Sequence, residues 1–170
     1  MVDSVRDRLR GNTSKHTFNL VAVINEIVEF NRYRNVGSPV ALHWEAPMQR
    51  GEFQYFGDPL RLSQIITIVV TNAIDAYADL TKSAKHAAVM IELTRQDGGF
   101  RISITDHGRG IPRNRREKLF KAVSSSKKGG MGLGLYLAKQ ILEAHFGGTI
   151  ELSPATDRTE FIILLPQRDS

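Results

Sequence analysis

The sequence contains no cysteine in its 170 residues. That absence excludes a disulfide framework, a thiolate nucleophile, zinc–thiolate sites and thiolate-held iron–sulfur clusters. No apolar run approaches the roughly 20 residues that a membrane-crossing helix needs. The chain does not open on the charged-then-apolar pattern of a secretory leader, so a cytoplasmic location is expected, even if a longer parent is membrane-anchored. There is no internal repeat and no low-complexity tract, and tryptophan occurs once. What remains is 41% apolar and 24% charged, the composition of an ordinary globular domain. At about 100–200 residues per domain, one domain is expected. A chain of this length buries about 70% of its unfolded surface without staples.

Acidic residues are scarce in one place only. The 23 Lys and Arg against 18 Asp and Glu give a net charge of +5. Between Arg113 and Lys128 stand Arg113, Arg115, Arg116, Lys118, Lys121, Lys127 and Lys128 against the single acid Glu117. That stretch carries +6, so the rest of the chain sums to −1. A nucleic-acid binder spreads its basic residues along a face, often with aromatics. A confined knot of cations suits a compact anion, or it is a solvated basic loop. No nucleic-acid partner is expected.

Residues 1–17 are polar and read as an N-terminal remnant, the end of a helix begun upstream; residues 18–170 are expected to form the domain. Phe18 to Arg34 shows apolar residues at helical spacing (Leu20, Val23, Ile24, Ile27, Val28, Phe30), broken by Gly37-Ser38-Pro39. Val40–Glu45 and Glu52–Phe56 are expected to be strands joined by a turn around Pro47–Gly51. Asp58 as N-cap and Pro59 at the first position open a long helix to about Leu80. Ala87–Arg95 and Phe100–Asp106 flank Gln96-Asp97-Gly98-Gly99, a hairpin signal. A glycine turn over His107–Pro112, a short helix over Arg113–Phe120, a loop over Lys121–Met131 and a helix over Gly132–Phe146 follow. Thr149–Leu152 and Glu160–Leu165 form the last hairpin. Strands in hairpins rather than βαβ units predict an α+β two-layer sandwich, its sheet mainly antiparallel and its helices on one face.

Three features carry chemistry. On the long helix, at 100° per residue, Arg61, Gln64, Ile68, Asn72, Asp75 and Asp79 fall within an arc of about 80° on an otherwise apolar cylinder. Most of that stripe is expected to face solvent, but Asn72, between Thr71 and Ala73, should be well buried. A buried amide needs partners, and its carbonyl oxygen is a hard ligand suited to Mg²⁺. Second, Asp106-His107-Gly108-Arg109-Gly110-Ile111-Pro112 ends an apolar strand. A carboxylate there needs a donor, for which the exocyclic amine of adenine serves; alternatively it closes an Asx turn. Gly108 and Gly110 permit close backbone approach. Third, Gly129-Gly130-Met131-Gly132-Leu133-Gly134-Leu135 runs into a helix. Backbone N–H groups at a helix N-terminus cradle phosphate, with Lys127 and Lys128 beside it. The spacing is neither a dinucleotide fingerprint nor a P-loop; the bland alternative is a flexible glycine linker.

The order and separation of Asn72, Asp106 and the run Gly130-Met131-Gly132-Leu133-Gly134 resemble the asparagine box and two glycine boxes of the GHKL ATP-binding superfamily. That superfamily holds histidine kinases, gyrase-type, Hsp90-type and mismatch-repair ATPases. Asp58 to Gln64 followed by Thr71-Asn72-Ala73-Ile74-Asp75-Ala76 is similar to the histidine-kinase asparagine box. Leu119-Phe120 with Ser125-Ser126-Lys127 resembles the phenylalanine box and the start of the ATP lid. Gly132-Leu133-Gly134-Leu135-Tyr136-Leu137-Ala138-Lys139 resembles the second glycine box, and Ala144 to Ile150 the usual exit. The likeness covers about residues 18–166.

The resemblance implies a Bergerat-type sandwich that binds ATP and Mg²⁺ as the catalytic domain of a two-component sensor histidine kinase. It implies that Asp106 accepts the adenine amine, that Asn72 ligates Mg²⁺, and that Gly108, Gly110 and Ile111 shape the adenine wall. Asp75 would stand beside the phosphates, where many of these kinases have a basic residue, and Lys127 would touch them. Gly130, Gly132 and Gly134 would close the lid, with Leu133 and Leu135 at the helix start. Two departures stand out. Ile68 occupies the position where gyrase-type relatives carry a water-activating Glu and histidine kinases often carry Asn; isoleucine cannot take a proton. No phosphoacceptor is recognisable among His16, His43, His86, His107 and His145. The implied partners are therefore a histidine-bearing dimerisation domain, in the same parent chain or another, and a response regulator; the isolated domain is expected to be a monomer. A stand-alone serine kinase of anti-sigma type and a non-catalytic nucleotide-sensing module are the alternatives.

Overall fold

The longest helix starts where two adjacent residues dictate. In a computed structural model of the chain, which describes residues 15–34, 40–47, 52–78, 87–96, 98–122, 133–155 and 157–167, Asp58 is extended, and its Oδ1 accepts the N–H groups of Leu60 (3.0 Å) and Arg61 (3.2 Å). Pro59, which has no N–H to satisfy, takes the first helical position. Arg61 Nε lies 3.2 Å from the other carboxylate oxygen. Asp58→Ala removes this cap and is expected to lower the unfolding free energy by about 1–2 kcal/mol. A lower urea midpoint at unchanged slope is the readout.

In chain order the elements are β1 (His16–Asn19), α1 (Leu20–Arg34), β2 (Ala41–Trp44), β3 (Gln54–Gly57), α2 (Pro59–Asp75), β4 (Ala88–Gln96), β5 (Gly99–Asp106), α3 (Arg113–Arg116), α4 (Gly134–Phe146), β6 (Thr149–Leu152) and β7 (Thr159–Pro166). Five strands form one sheet in the order β2-β4-β5-β7-β6, and β1 pairs with β3 separately. All pairings are antiparallel except β2 with β4. Alternation along the strands turns Val89, Ile91 and Leu93, then Phe100, Ile102 and Ile104, then Phe161, Ile163 and Leu165 toward the helices, all buried. Against them α2 buries Leu62, Ile65, Ile66, Val69, Val70 and Ala73. It packs between α1, which buries Leu20, Ile24, Ile27 and Val28, and α4, which buries Ala138, Ile141, Leu142 and Phe146. The two-layer α+β sandwich and both later hairpins are as expected.

Five expectations about the elements need correction. The first helix begins at Leu20, because His16–Asn19 pairs with Gln54–Gly57 as a strand. Asn19 Oδ1 then accepts the N–H of Val21 at 2.8 Å and starts the helix. Val40–Glu45 and Glu52–Phe56 do not form a hairpin: β3 goes to β1, and β2 runs parallel to β4 at the sheet edge. The route from β2 to β4 through α2 is thus a parallel crossover. The short helix after the glycine turn ends at Arg116 and relaxes into turns through Phe120. The last helix starts at Gly134, and the long one stops at Asp75 with a turn over Ala76–Ala78.

Candidate nucleotide site

The same period-2 alternation that turns Ile102 and Ile104 inward continues to the last residue of β5. Asp106 therefore lies on the helix-facing side of the sheet, only 1% exposed. Its Oδ1 accepts the N–H of Gly108 at 2.9 Å, an Asx turn that leaves Oδ2 for another donor. Burial pushes its pKa up; the Gly108 hydrogen bond and the neighbouring His107 pull the other way.

The turn after Asp106 rests on the end of α2. Arg109 donates its N–H to the Ala76 carbonyl at 3.0 Å, and the His107 N–H donates to the Tyr77 hydroxyl at 2.8 Å. Gly108 packs so closely on Ala76 that a Cβ there would lie 2.6 Å from the Ala76 methyl. Gly110 has φ +68°, the left-handed region that glycine enters at no steric cost.

These contacts place the polar stripe of α2 beside the end of β5. Asn72, Asp75 and Asp106 line one cleft of about 1010 Å³, together with Gly110, Ile111 and Leu135. Asn72 is half-buried rather than well buried, because it faces this cleft and not the core. Gly108 lines a smaller adjoining pocket of about 340 Å³ behind the turn. Leu133, 38% exposed, and Gly134, whose Cβ would meet Ile68 Cγ2 at 3.3 Å, stand outside the cleft lining. Ile68 is packed on the core one turn before Asn72. Lys127, Gly130 and Gly132 lie outside the described residues, as does His86.

Sequence reasoning missed further lining residues. Thr159 is buried directly opposite Asp106 in the β5–β7 register. Phe161 follows on the same face, and Arg109, Asn114, Arg115 and Leu119 close the outer wall. The last hairpin was legible; its register against β5, which brings Thr159 to Asp106, was not. From the basic stretch, Arg115 reaches the cleft, whereas Arg116 holds the backbone carbonyls of Ile111 and Ala155. The cleft thus offers a buried acceptor in Asp106, apolar walls from Ile111, Leu119 and Phe161, and the polar side chains of Asn72 and Asp75.

Residues 57–169 match the family described as histidine kinase-, DNA gyrase B-, and HSP90-like ATPase. The chain belongs to that family. Within it, the chain is a catalytic domain of the sensor histidine kinase type. It is 30% identical over 169 residues to the C4-dicarboxylate transport sensor protein DctB of Rhizobium meliloti (strain 1021), covering 96% of this chain but 26% of that protein. The chain therefore spans about a quarter of the length of that relative. The solved mycobacterial sensor histidine kinase MprB superposes with a TM-score of 0.70 at 27% identity, covering 92% of this chain and 100% of that one. Full-length ShkA in complex with AMPPNP superposes with a TM-score of 0.74 at 22% identity, covering 92% of this chain and 32% of that one. No helix among the described residues is long and apolar enough to cross a membrane.

Proposed function

We propose that the cleft binds ATP and that the chain directs its γ-phosphoryl group to a histidine outside these residues, for later passage to an aspartate on a response regulator. The observation that carries this reading is the convergence of Asp106 and Asn72, distant in sequence, on one cleft. Asp106 Oδ2 accepts the adenine amine, with Thr159 beside it. Gly108, Gly110 and Ile111 shape the wall around the base. Asn72 and Asp75 face the phosphates, with Leu135 beside them; Lys127, Gly130, Gly132, Leu133 and Gly134 are assigned to the phosphate side by the resemblance.

Mg²⁺ fits this donor set. Among the described residues no group of three His, Asp or Glu could enclose a metal. Mg²⁺ needs no such cage: it takes one or two protein oxygens and completes its shell with water and phosphate. The Asn72 carbonyl oxygen, with Asp75 one turn on, supplies that hard-oxygen face. When bound, the ion offsets phosphate charge. The chain's own residues position the nucleotide, which is most of what phosphoryl transfer requires of a protein. Ile68 offers no base to activate water, so hydrolysis without an acceptor is slow and the phosphoryl group is kept for the partner. The catalytic unit is residues 18–170, monomeric by itself, working in the cytoplasm on a dimerisation domain in the same parent chain or another.

The test is label transfer. Incubated with Mg²⁺, γ-labelled ATP and an excess of a histidine-bearing dimerisation hairpin, the chain is expected to place acid-labile label on the hairpin. Acid-stable label on a protein partner identifies a serine kinase instead. Nucleotide binding with no transfer at any hairpin concentration identifies a nucleotide-sensing module.

A further inference from the structure

Tyr77 stands just past the end of α2, is 7% exposed, and is not among the residues lining the cleft. Its hydroxyl makes two hydrogen bonds. It donates to the Ala88 carbonyl at 2.7 Å and accepts the N–H of His107 at 2.8 Å. Ala88 opens β4 next to Val89, and Val89 is the residue paired with Asp106 across β4 and β5. His107 follows Asp106 directly. One hydroxyl therefore holds the backbone beside Asp106 on its own strand and on the neighbouring strand. It does so from the end of the helix that carries Asn72 and Asp75.

We propose that Tyr77 is a positioning residue of the site: its hydroxyl fixes the turn that aims the second carboxylate oxygen of Asp106 at the amino group of the bound purine. The inference rests on the reading of the cleft as an ATP site. Asp106 Oδ1 is committed to the Gly108 N–H, so the direction of Oδ2 follows the orientation of the His107–Gly108 peptide. That peptide is held by Asp106 itself. The peptide before it, Asp106–His107, is held through the His107 N–H by Tyr77, and the peptide after it is held through the Arg109 N–H by the Ala76 carbonyl. Removing the hydroxyl leaves the phenyl ring in place but strands a backbone donor and a backbone acceptor. Both can be satisfied again only if the turn moves or water enters. Either change rotates the carboxylate relative to the base. A contact that matters only for packing would have no preference for which purine is bound.

Tyr77→Phe tests this with two ligands: ATP, and purine riboside triphosphate, which lacks the 6-amino group. The wild type is expected to bind ATP more tightly than the analogue. The variant is expected to lose roughly three- to tenfold in ATP affinity, the scale of one to two buried hydrogen bonds, with little loss for the analogue. The preference for the amine therefore shrinks. Equal loss for both ligands, or unchanged ATP affinity, overturns the proposal while leaving the cleft reading intact. A wild type that does not discriminate the two ligands overturns the cleft reading first and this proposal with it. Should the variant not fold, amide hydrogen exchange on the wild type decides the matter. The His107 N–H is expected to be protected like the amides of β5, and exchange at the rate of a free loop overturns the clamp.

Discussion

Asp106→Asn is expected to weaken ATP binding roughly ten- to hundredfold, the loss that follows from removing a hydrogen bond to a charged acceptor, and at the same time to raise the urea midpoint of the free domain. Both effects come from the same buried carboxylate. The side chain must accept twice, from the Gly108 N–H at 2.9 Å and from the purine amine. Asparagine has one oxygen. If that oxygen keeps Gly108, its NH₂ faces the amine, donor against donor; if it turns to the amine, it abandons Gly108. Stability moves the other way, because an ionised group at this depth is costly to desolvate and asparagine is neutral at similar volume. Burial raises the Asp106 pKa above its ordinary value. The native state therefore binds the proton more tightly than the unfolded chain. The associated stability is present in acid, below the unfolded pKa, and is lost as pH rises through the raised folded value. The stabilisation of the variant over the wild type should accordingly be full at neutral pH and fade on acidification. ATP affinity of the wild type should fall over that same acid window as the acceptor is protonated. Isothermal titration and urea unfolding of both proteins across pH 4–8 read the two halves; an Asn variant that binds ATP as tightly as the wild type removes Asp106 from the adenine site.

The parts of the molecule governed by local rules were legible in the sequence. Asp58-Pro59 marked the start of α2 because capping is settled within four residues. The hairpins closed by Gly98-Gly99 and ending at Pro166 were legible because two adjacent strands share one turn. Asp106 was legible as an interruption of an apolar alternation, and Asn72 by its helical phase. What was not legible depends on partners far along the chain. Nothing local in Val40–Trp44 tells an edge strand parallel to β4 from the first arm of a hairpin, and nothing in His16–Asn19 announces a strand that waits for Gln54–Gly57. Thr159 reaches Asp106 only through the register of β7 on β5. Arg115 and Arg116 looked alike as members of one basic stretch. They separate in space because one sits at the cleft and the other turns back to the Ile111 and Ala155 carbonyls. The resemblance, in turn, rested on the spacing of a few side chains; of the site residues it implied, Asn72, Asp75, Asp106, Gly110, Ile111 and Leu135 line one cavity, Gly108 lines the adjoining pocket, and Leu133 and Gly134 lie outside the lining.

Two glycines in the same turn are expected to respond very differently to a single added methyl group. At Gly110 a Cβ meets no protein atom within 4 Å, so Gly110→Ala costs the fold only the strain of a left-handed φ of +68°, about 1 kcal/mol. At Gly108 the Cβ would lie 2.6 Å from the Ala76 methyl, 2.7 Å from the Ala76 oxygen and 2.8 Å from its carbonyl carbon. Two of those three atoms are backbone at the end of α2 and cannot rotate away. The turn must lift, which breaks the Arg109 bond to the Ala76 carbonyl and the His107 bond to Tyr77 together. Gly108→Ala is therefore expected to destabilise the domain by about 1–3 kcal/mol, the usual cost of overpacking, and to abolish ATP binding at concentrations that saturate the wild type, since Asp106 and Asn72 no longer face one another across a single cleft. Ala76→Gly in the same chain removes the methyl but not the carbonyl, so it should recover part of the stability and little of the binding. Full recovery of both would mean that the clash is with the side chain alone and that the backbone contact between α2 and the turn does not hold the site together. Urea unfolding and nucleotide titration of the two single variants and the double variant measure each term.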